Sequence, residues 1–496
     1  MASTGDKALD GPASAGAWER YALPLVLLLA IYRLAVLALG DIPLDTEEVY
    51  YLSWSDRLDL GYFSKPPLLA AMLALVTGVF GESVFVIKSI SVLMHTATAL
   101  VVWRLGSALY DERSGAVAAL VFQAMPIVGV ISMATTTDAP LLLFWSLTLL
   151  GFVHALRSDA WRWWLFTGLM AGLGLLSKYT MGVLAVGLLL FLLLQSEYRA
   201  SLRSPGLWLG LFAALLVWSP NLWWLSQHDF ITLSHTRHIS GVEQAAGDWI
   251  SLRDFLLSQI GVFGPVSAVV LLLIVGRASV WREPANRLLL LASLPLLLVI
   301  SLQSYLSEAN MNWASPAYIG LGIVVTAWML QHARRWLLAG LALNLALLSL
   351  LYHYHALADL AGIQLTRKSD PYFKRLGWRE LGTQLLAWRR QYPQAALLSA
   401  DRKLLAQLGY HSRELQRPLL RAWNPDGQWG NQYDLYNDIA DHPHGEFLLL
   451  SERPLNADVL QRFSRAQLLD VLQVKVYADL QLSVHVYRVS GFKGYR

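Results

Sequence analysis

The chain has 496 residues, of which 55% are hydrophobic and only 15% are charged, whereas ordinary soluble domains carry ~25% charge. That balance, a mean hydropathy of +0.43 and the absence of cysteine exclude an ordinary soluble globule, a disulfide scaffold, thiol catalysis and Cys-ligated metal. The net charge of +4 does not mark a nucleic-acid partner, because the basic residues are scattered between apolar blocks, as helix-flanking cations are.

Residues 1–18 are small and polar and read as a disordered cytoplasmic tail. The first apolar block, Tyr21 to Leu39, is too long for a signal-peptide core and has no A-x-A-like site behind it, so it reads as a retained first helix. Further spans are expected near 84–109, 114–133, 139–156, 162–176, 180–195, 206–220, 254–276, 287–303, 315–331 and 335–353, about eleven in all. Helices are expected because unpaired backbone groups are too costly in lipid, and the ~10-residue alternating segments of a β-barrel are absent.

The Lys/Arg bias sets the orientation. One set of alternate loops holds Arg104, Arg113, Arg157, Arg162, Arg199, Arg203, Arg277, Arg282, Arg287, Arg334 and Arg335, with Arg20 on the same side. This side is expected to be cytoplasmic, which leaves the segment after about 355 outside. From His355 to Arg496 no long apolar block appears. Short β-like runs at Ala395–Ser399, Glu446–Ser451 and Val474–Val489, with helical patterns near Trp378–Arg390 and Asp458–Leu468, predict a small soluble α/β domain. The expected fold is therefore an α-helical polytopic membrane protein. A membrane domain spans 19–354, with its first outer loop at 41–83, and an α/β domain follows at 355–496.

The chemistry-bearing residues gather in the outer loops. The first is long and acidic, with Asp45, Glu47, Glu48, Asp56 and Asp59, and its Tyr50, Tyr51, Trp54 and Leu58 suit a helix lying in the membrane interface. Its carboxylates are a solvated loop or supply a general base at the membrane surface. Lys65 precedes Pro66-Pro67, which stiffen the chain and fix a cation at the bilayer boundary. Asp138, between two apolar spans, is a helix N-cap or a functional acid. Lys178 lies between two apolar runs and either snorkels or serves a site. The loop from Asn221 to Arg253 holds His228, His235, Arg237 and His238. The His235/His238 spacing suits metal ligands and surface polar residues alike. A fourth loop, Ser304 to Pro316, holds Glu308, Asn310 and Asn312. Acids and cations on one face suit a reaction between an amphipathic lipid donor and an acceptor hydroxyl: a carboxylate takes the proton and lysines stabilise a leaving phosphate. A transporter or flippase is the alternative, and it would place ionisable groups midway along spans. Arg33 and Lys88 are the nearest cases, both near ends or loops.

At these residues the sequence resembles the polyprenyl-phosphate-sugar-dependent glycosyltransferases of the GT-C type, in the group of lipid A aminoarabinose and lipopolysaccharide-core galacturonosyl transferases, with protein O-mannosyltransferases as more distant relatives. The resemblance is carried by an ordered set: Glu47-Glu48-Val49-Tyr50-Tyr51, Gly61 to Leu68, Gly81-Glu82 with Lys88, Thr137-Asp138-Ala139-Pro140, Leu175 to Thr180, Ser219 through Phe230, Asn312 to Tyr318, and Asn431 to Leu435. It implies a GT-C fold and an inverting transfer from a polyprenyl-phosphate sugar to a glycolipid or glycan acceptor. The site is implied on the periplasmic face of a bacterial inner membrane. The catalytic acids would be Glu47, Asp45, Glu48 and Asp138. The donor phosphate would meet Lys65, Lys178, Lys88, Tyr62 and Tyr179. Substrate contacts would come from Tyr50, His228, Arg237, His238, Asn312, Tyr433 and Asp434. The family's first acid is usually Asp, whereas the aligned residue here is Glu47, with Asp45 two residues earlier as the other candidate base. No nucleotide is implied, and a divalent metal ion between the acids stays open.

Overall fold

The computed structural model describes residues 19–239, 247–413 and 418–495. The expected tail at 1–18 and the side chain of His238 lie outside the described residues. The chain is built of a helical bundle followed by a small α/β unit. In the bundle, α1 is Ala22–Leu39, α2 Thr46–Trp54, α3 Leu68–Phe80, α4 Val84–Leu109, α5 Glu112–Ala124 and α6 Pro126–Ile131. Then follow α7 Asp138–Ser158, α8 Trp161–Ser177, α9 Met181–Leu194, α10 Pro205–Gln227 and α11 Ile231–Ile239. The remainder are α12 Trp249–Phe263, α13 Pro265–Val275, α14 Ala278–Arg282, α15 Pro284–Leu306, α16 Ala317–His332, α17 Arg334–Tyr352 and α18 Tyr354–Leu360.

Each expected span falls on a helix or a helix pair, but they differ in reach. Among the described residues six helices are long and apolar enough to cross a membrane, or eight if each of two bent pairs is one span. One bend, of 111° between α12 and α13, lies at Gly264, whose φ of 94° is open to glycine at little cost, followed by Pro265 as a ready first helical residue. The expected span at 114–133 is divided into α5 and α6 by Pro126, which cannot extend the preceding helix. Helix α16 has 16 residues and is buried over most of its length, so it forms part of the bundle's centre.

The acidic loop after α1 is more ordered than its polarity suggests. Asp45 caps α2 and Glu48 bonds back to the Asp45 backbone, a reciprocal capping box. Its aromatic residues depart from the expected place in the lipid interface: Tyr50, Tyr51 and Trp54 are buried in a cluster shared with Trp378, Leu381, Leu404 and Leu408 of the α/β unit. Leu58, the fourth residue of that pattern, stays exposed.

The α/β unit contains α19 Trp378–Gln391, α20 Arg402–His411, α21 Gln432–Tyr436 and α22 Ala457–Leu460. Its strands are β1 Ala396–Ser399, β2 Leu420–Ala422, β3 Glu446–Ser451, β4 Phe463–Tyr477 and β5 Leu480–Phe492. The sheet order is β2-β1-β3-β5-β4. β1 runs parallel to β2 and β3, while β5 is antiparallel to both β3 and β4. The helical pattern read at Asp458–Leu468 is a correction: only Ala457–Leu460 is helical, and the chain enters β4 at Phe463. Pairing with β5 along nearly the whole strand outweighs the local preference. The β-like run Val474–Val489 is a hairpin rather than one strand.

Arg33 lies within α1, not near an end, and is 1% exposed. Its guanidinium bonds to Gln123 through side chain and backbone and to the Tyr352 hydroxyl at 3.0 Å, so this buried cation is satisfied inside the bundle.

A second buried cation ties α2 to the bundle. Lys88 Nζ donates to Glu48 Oε2 at 2.6 Å and to Met133 O at 3.0 Å, and both side chains are fully buried. Removing one partner strands a charge, at a cost of about 3–5 kcal/mol. Lys88→Met is expected to lower the unfolding temperature of the detergent-purified protein markedly. The double variant Glu48→Gln/Lys88→Met should recover part of that loss. Unchanged thermal unfolding in Lys88→Met would show that the pair does not hold α2.

Candidate active site

Consecutive residues on a helix point ~100° apart, so anchoring Glu48 turns Glu47 to another direction. Glu48 has both carboxylate oxygens occupied: Oε2 by Lys88 and the Asp45 backbone N–H (2.9 Å), Oε1 by the Thr135 N–H (2.8 Å). Glu48 and Lys88 thus form a buried pair with both Glu48 carboxylate oxygens taken up inside the fold. Asp45 is committed to the capping box and faces Arg375 at 3.4 Å.

Glu47 keeps 40% of its side chain exposed and takes Arg402 Nη2 at 2.5 Å. The Arg402 guanidinium also lies 4.8 Å from the Tyr50 ring centroid. Burial and the nearby Glu47 carboxylate hold the Tyr51 hydroxyl well above its ordinary range. Across from Glu47 lies a second pair: Lys178 Nζ donates to Asp138 Oδ1 at 2.7 Å, and Asn312 Nδ2 donates to Asp138 Oδ2 at 2.6 Å. The N-cap of α7 is Thr137, so Asp138 does not cap the helix; its carboxylate joins three segments of the bundle instead.

Lys65 lies within electrostatic reach of both pairs. Its ammonium has no hydrogen bond or ion pair among the described residues, although Lys178, Glu47, Asp138 and Arg402 all act on it electrostatically. Burial pushes Lys65 down to about 8, Lys178 and Arg402 add to that, and Glu47 and Asp138 pull it back. Lys65 is only partly exposed, and a half-buried cation with no protein partner is the feature best matched to an incoming anion.

The Lys65 turn is held from several sides. Tyr62 N–H donates to Lys65 O at 3.1 Å. Thr232 Oγ1 donates to Tyr62 O at 2.8 Å, and Asn221 Nδ2 donates to Leu60 O at 2.7 Å. Asn221 Oδ1 in turn accepts from Tyr179 at 2.8 Å and Trp218 at 3.2 Å. Gly61 is required here, because a Cβ would lie 2.3 Å from the Trp224 ring. Tyr62 and Tyr179 therefore shape the turn from buried or partly buried positions. The Tyr62 hydroxyl is spent on the backbone of Trp54 and Asp59, and its ring stacks on Trp54 at 4.7 Å.

The α/β unit closes the other side. Gln432 donates its N–H to Tyr50 Oη at 2.6 Å and accepts from Phe63 N–H at 2.7 Å, linking α2 to the Lys65 turn. Tyr433, buried, donates to Ser53 Oγ at 3.0 Å. Asp434 caps its own loop, accepting from Gly430 N–H and Asn431 Nδ2, with burial raising its carboxyl above the ordinary range. His228 stands beside Tyr436, whose hydroxyl donates to Asp59 Oδ2 at 2.6 Å. Arg237 is exposed on α11, and the His235 ring packs 4.6 Å from Phe63. Tyr50, Tyr433, Asp434 and His228 are thus engaged in holding the unit together. Among the described residues no group of three or more His, Asp or Glu could hold a metal ion.

Arg402 is the residue that motif reading passed over; Asn221 and Gln432 lie inside the motifs at Ser219–Phe230 and Asn431–Leu435, which gave them no individual role. Arg402 follows β1 and opens α20, and the carboxyl ends of parallel strands are where α/β units present ligand groups; that rule was the available signal.

Three comparisons bear on this arrangement. Residues 64–224 match the family model described as dolichyl-phosphate-mannose-protein mannosyltransferase, a stretch holding Lys65, Asp138, Lys178 and Asn221. The lipid A galacturonosyltransferase of Rhizobium johnstonii is 28% identical over 443 residues, covering 87% of this chain and 91% of that protein. The undecaprenyl phosphate-alpha-4-amino-4-deoxy-L-arabinose arabinosyl transferase of Pseudomonas aeruginosa is 27% identical over 74% of this chain, which spans 65% of that relative's length. Among solved structures, ArnT from Cupriavidus metallidurans bound to undecaprenyl phosphate superposes with a TM-score of 0.65 at 14% identity, covering 96% of this chain and 98% of that one. The fold is that of ArnT, and the chain is a multi-pass membrane glycosyltransferase.

Proposed function

We propose that the protein moves one monosaccharide, with inversion, from a polyprenyl-phosphate donor to a hydroxyl or phosphate of a cell-envelope glycolipid of the lipid A or lipopolysaccharide type. The observation that carries this reading is the unpartnered Lys65 ammonium within electrostatic reach of both the Glu47–Arg402 and the Lys178–Asp138 pairs. A cation for the departing phosphate and an accessible carboxylate for the incoming hydroxyl then face the same space. The acceptor oxygen attacks the anomeric carbon from the side opposite the phosphate. As the bond from that carbon to the phosphate oxygen breaks, Glu47 receives the acceptor proton and Lys65 takes the charge of the polyprenyl phosphate. Lys178, held by Asp138, adds a second positive charge beside Lys65. The relatives' names, a lipid A galacturonosyltransferase and an undecaprenyl-phosphate-linked aminoarabinose transferase, support this donor and acceptor class. In this reading 19–354 is the membrane catalytic domain, with its first periplasmic loop at 41–83, and 355–496 is a periplasmic α/β domain. The N-terminus is then cytoplasmic and the membrane the bacterial inner membrane.

Two outcomes are expected. With purified protein, bacterial polyprenyl-phosphate sugars and lipid A, mass spectrometry should show donor loss and free polyprenyl phosphate. Glu47→Gln should cut that turnover by about 10²- to 10⁴-fold while donor binding persists. Full turnover in Glu47→Gln would remove Glu47 as the base, and no donor consumption by the wild type would favour transport instead. The second outcome concerns pH. Lys65 is charged below about 8 and loses its proton above it, so undecaprenyl phosphate affinity should weaken as pH rises past that value. Lys65→Arg should keep its affinity through the same range, since a guanidinium stays charged. An affinity flat to pH 9.5 in the wild type, together with unchanged affinity in Lys65→Ala, would exclude Lys65 as the phosphate contact.

A further inference from the structure

A cavity of about 590 Å³ opens beside α2, with Thr46, Arg367, Lys374, Lys403, Glu452 and Arg453 on its walls. Two of these residues adjoin the transfer site in sequence: Thr46 precedes Glu47, and Lys403 follows Arg402. Four cations thus face one carboxylate on the cavity wall. Lys403 is paired with Glu452 at 2.5 Å and lies 5.5 Å from the Trp378 ring. Lys374 and Arg453 have no ion pair among the described residues. The Arg367 guanidinium lies 5.6 Å from the Phe373 ring, while the nearby Asp479 carboxylate is taken up by the Arg367 backbone N–H at 2.9 Å. The side chains of Arg367, Lys374 and Arg453 are therefore available to an anion.

A second cavity, of about 610 Å³, lies at the ends of α1 and α17, between Tyr32, Leu39, Leu351 and Leu376. Leu376 lines both cavities. A mostly apolar space at the ends of two candidate spans, which also carries Asp41, His353, His355 and Arg375, therefore adjoins a basic space lined by the sequence neighbours of Glu47 and Arg402. This pairing suits an acylated molecule with an anionic headgroup: chains at the span ends, charge among the arginines and lysines. An acidic peptide would use the basic cavity but leave the apolar one unexplained.

We infer that the basic cavity is the acceptor subsite, in which Arg367, Lys374 and Arg453 hold the phosphate or carboxylate groups of an acylated glycolipid while its nucleophile reaches Glu47. The inference rests on the transferase reading and adds to it the acceptor's charge and its place. The test uses Lys374→Glu and Arg453→Glu, both at exposed positions, with bisphosphorylated lipid A and its dephosphorylated counterpart as probes. With saturating donor, each variant is expected to raise the KM for phosphorylated lipid A by about tenfold or more, with donor KM and kcat within about twofold of the wild type. Direct binding without donor separates the two readings. The wild type should prefer phosphorylated over dephosphorylated lipid A, and the variants should lose that preference, more visibly at low salt. Equal binding of the two lipids by the wild type, or unchanged preference in both variants, overturns the subsite. Retained preference without any sugar transfer by the wild type would overturn the transferase reading and leave the anionic lipid site standing.

Discussion

Glu48 and Lys88 meet at 2.6 Å with no exposure to solvent, and the orientation of the site follows from that contact. Two charges taken out of water are stable only when every lone pair and proton finds a partner. Glu48 meets this condition with Lys88, the Asp45 backbone and the Thr135 backbone. Lys88 belongs to α4 and Thr135 to the segment just before α7, so α2 has one register against the bundle. Glu47 must then point away from the anchor, toward Arg402 and the space in front of Lys65.

The opposite face of α2 is held by the α/β unit. Arg402 binds Glu47, Gln432 bridges Tyr50 and Phe63, and Tyr433 reaches Ser53. The short helix is in this way clamped between two bodies, one contributing a buried ion pair and the other an aromatic cluster with hydrogen bonds. Such double support suits a site whose reacting groups need to be held within a fraction of an ångström. It also gives the α/β unit a direct share in shaping the centre, beyond any contact it makes with an acceptor.

The membrane character and most helix positions were legible in the sequence, because long apolar blocks between charged loops have few other readings. Lys65, Asp138 and Lys178 were legible as charges set against apolar segments, and the structure brings them into one region. Three things were not. The acids of the first loop look alike in sequence, and only burial separates Glu48, fully enclosed, from Glu47, open to the site. Lys88 reads like Lys65 until its partner across 40 residues is known. The β4 segment looks helical until β5 is there to pair with it. In each case a contact distant in sequence decides between residues whose local patterns are equivalent.

The central claim is that Lys65 is left unpaired to receive the donor's phosphate. The most direct measurement is a structure of this protein with undecaprenyl phosphate, read for the position of the phosphorus. The account predicts the phosphate within hydrogen-bonding distance of Lys65 Nζ, close to Lys178 and facing Glu47. A phosphate seated elsewhere in the bundle, with Lys65 still without an anion, would contradict it.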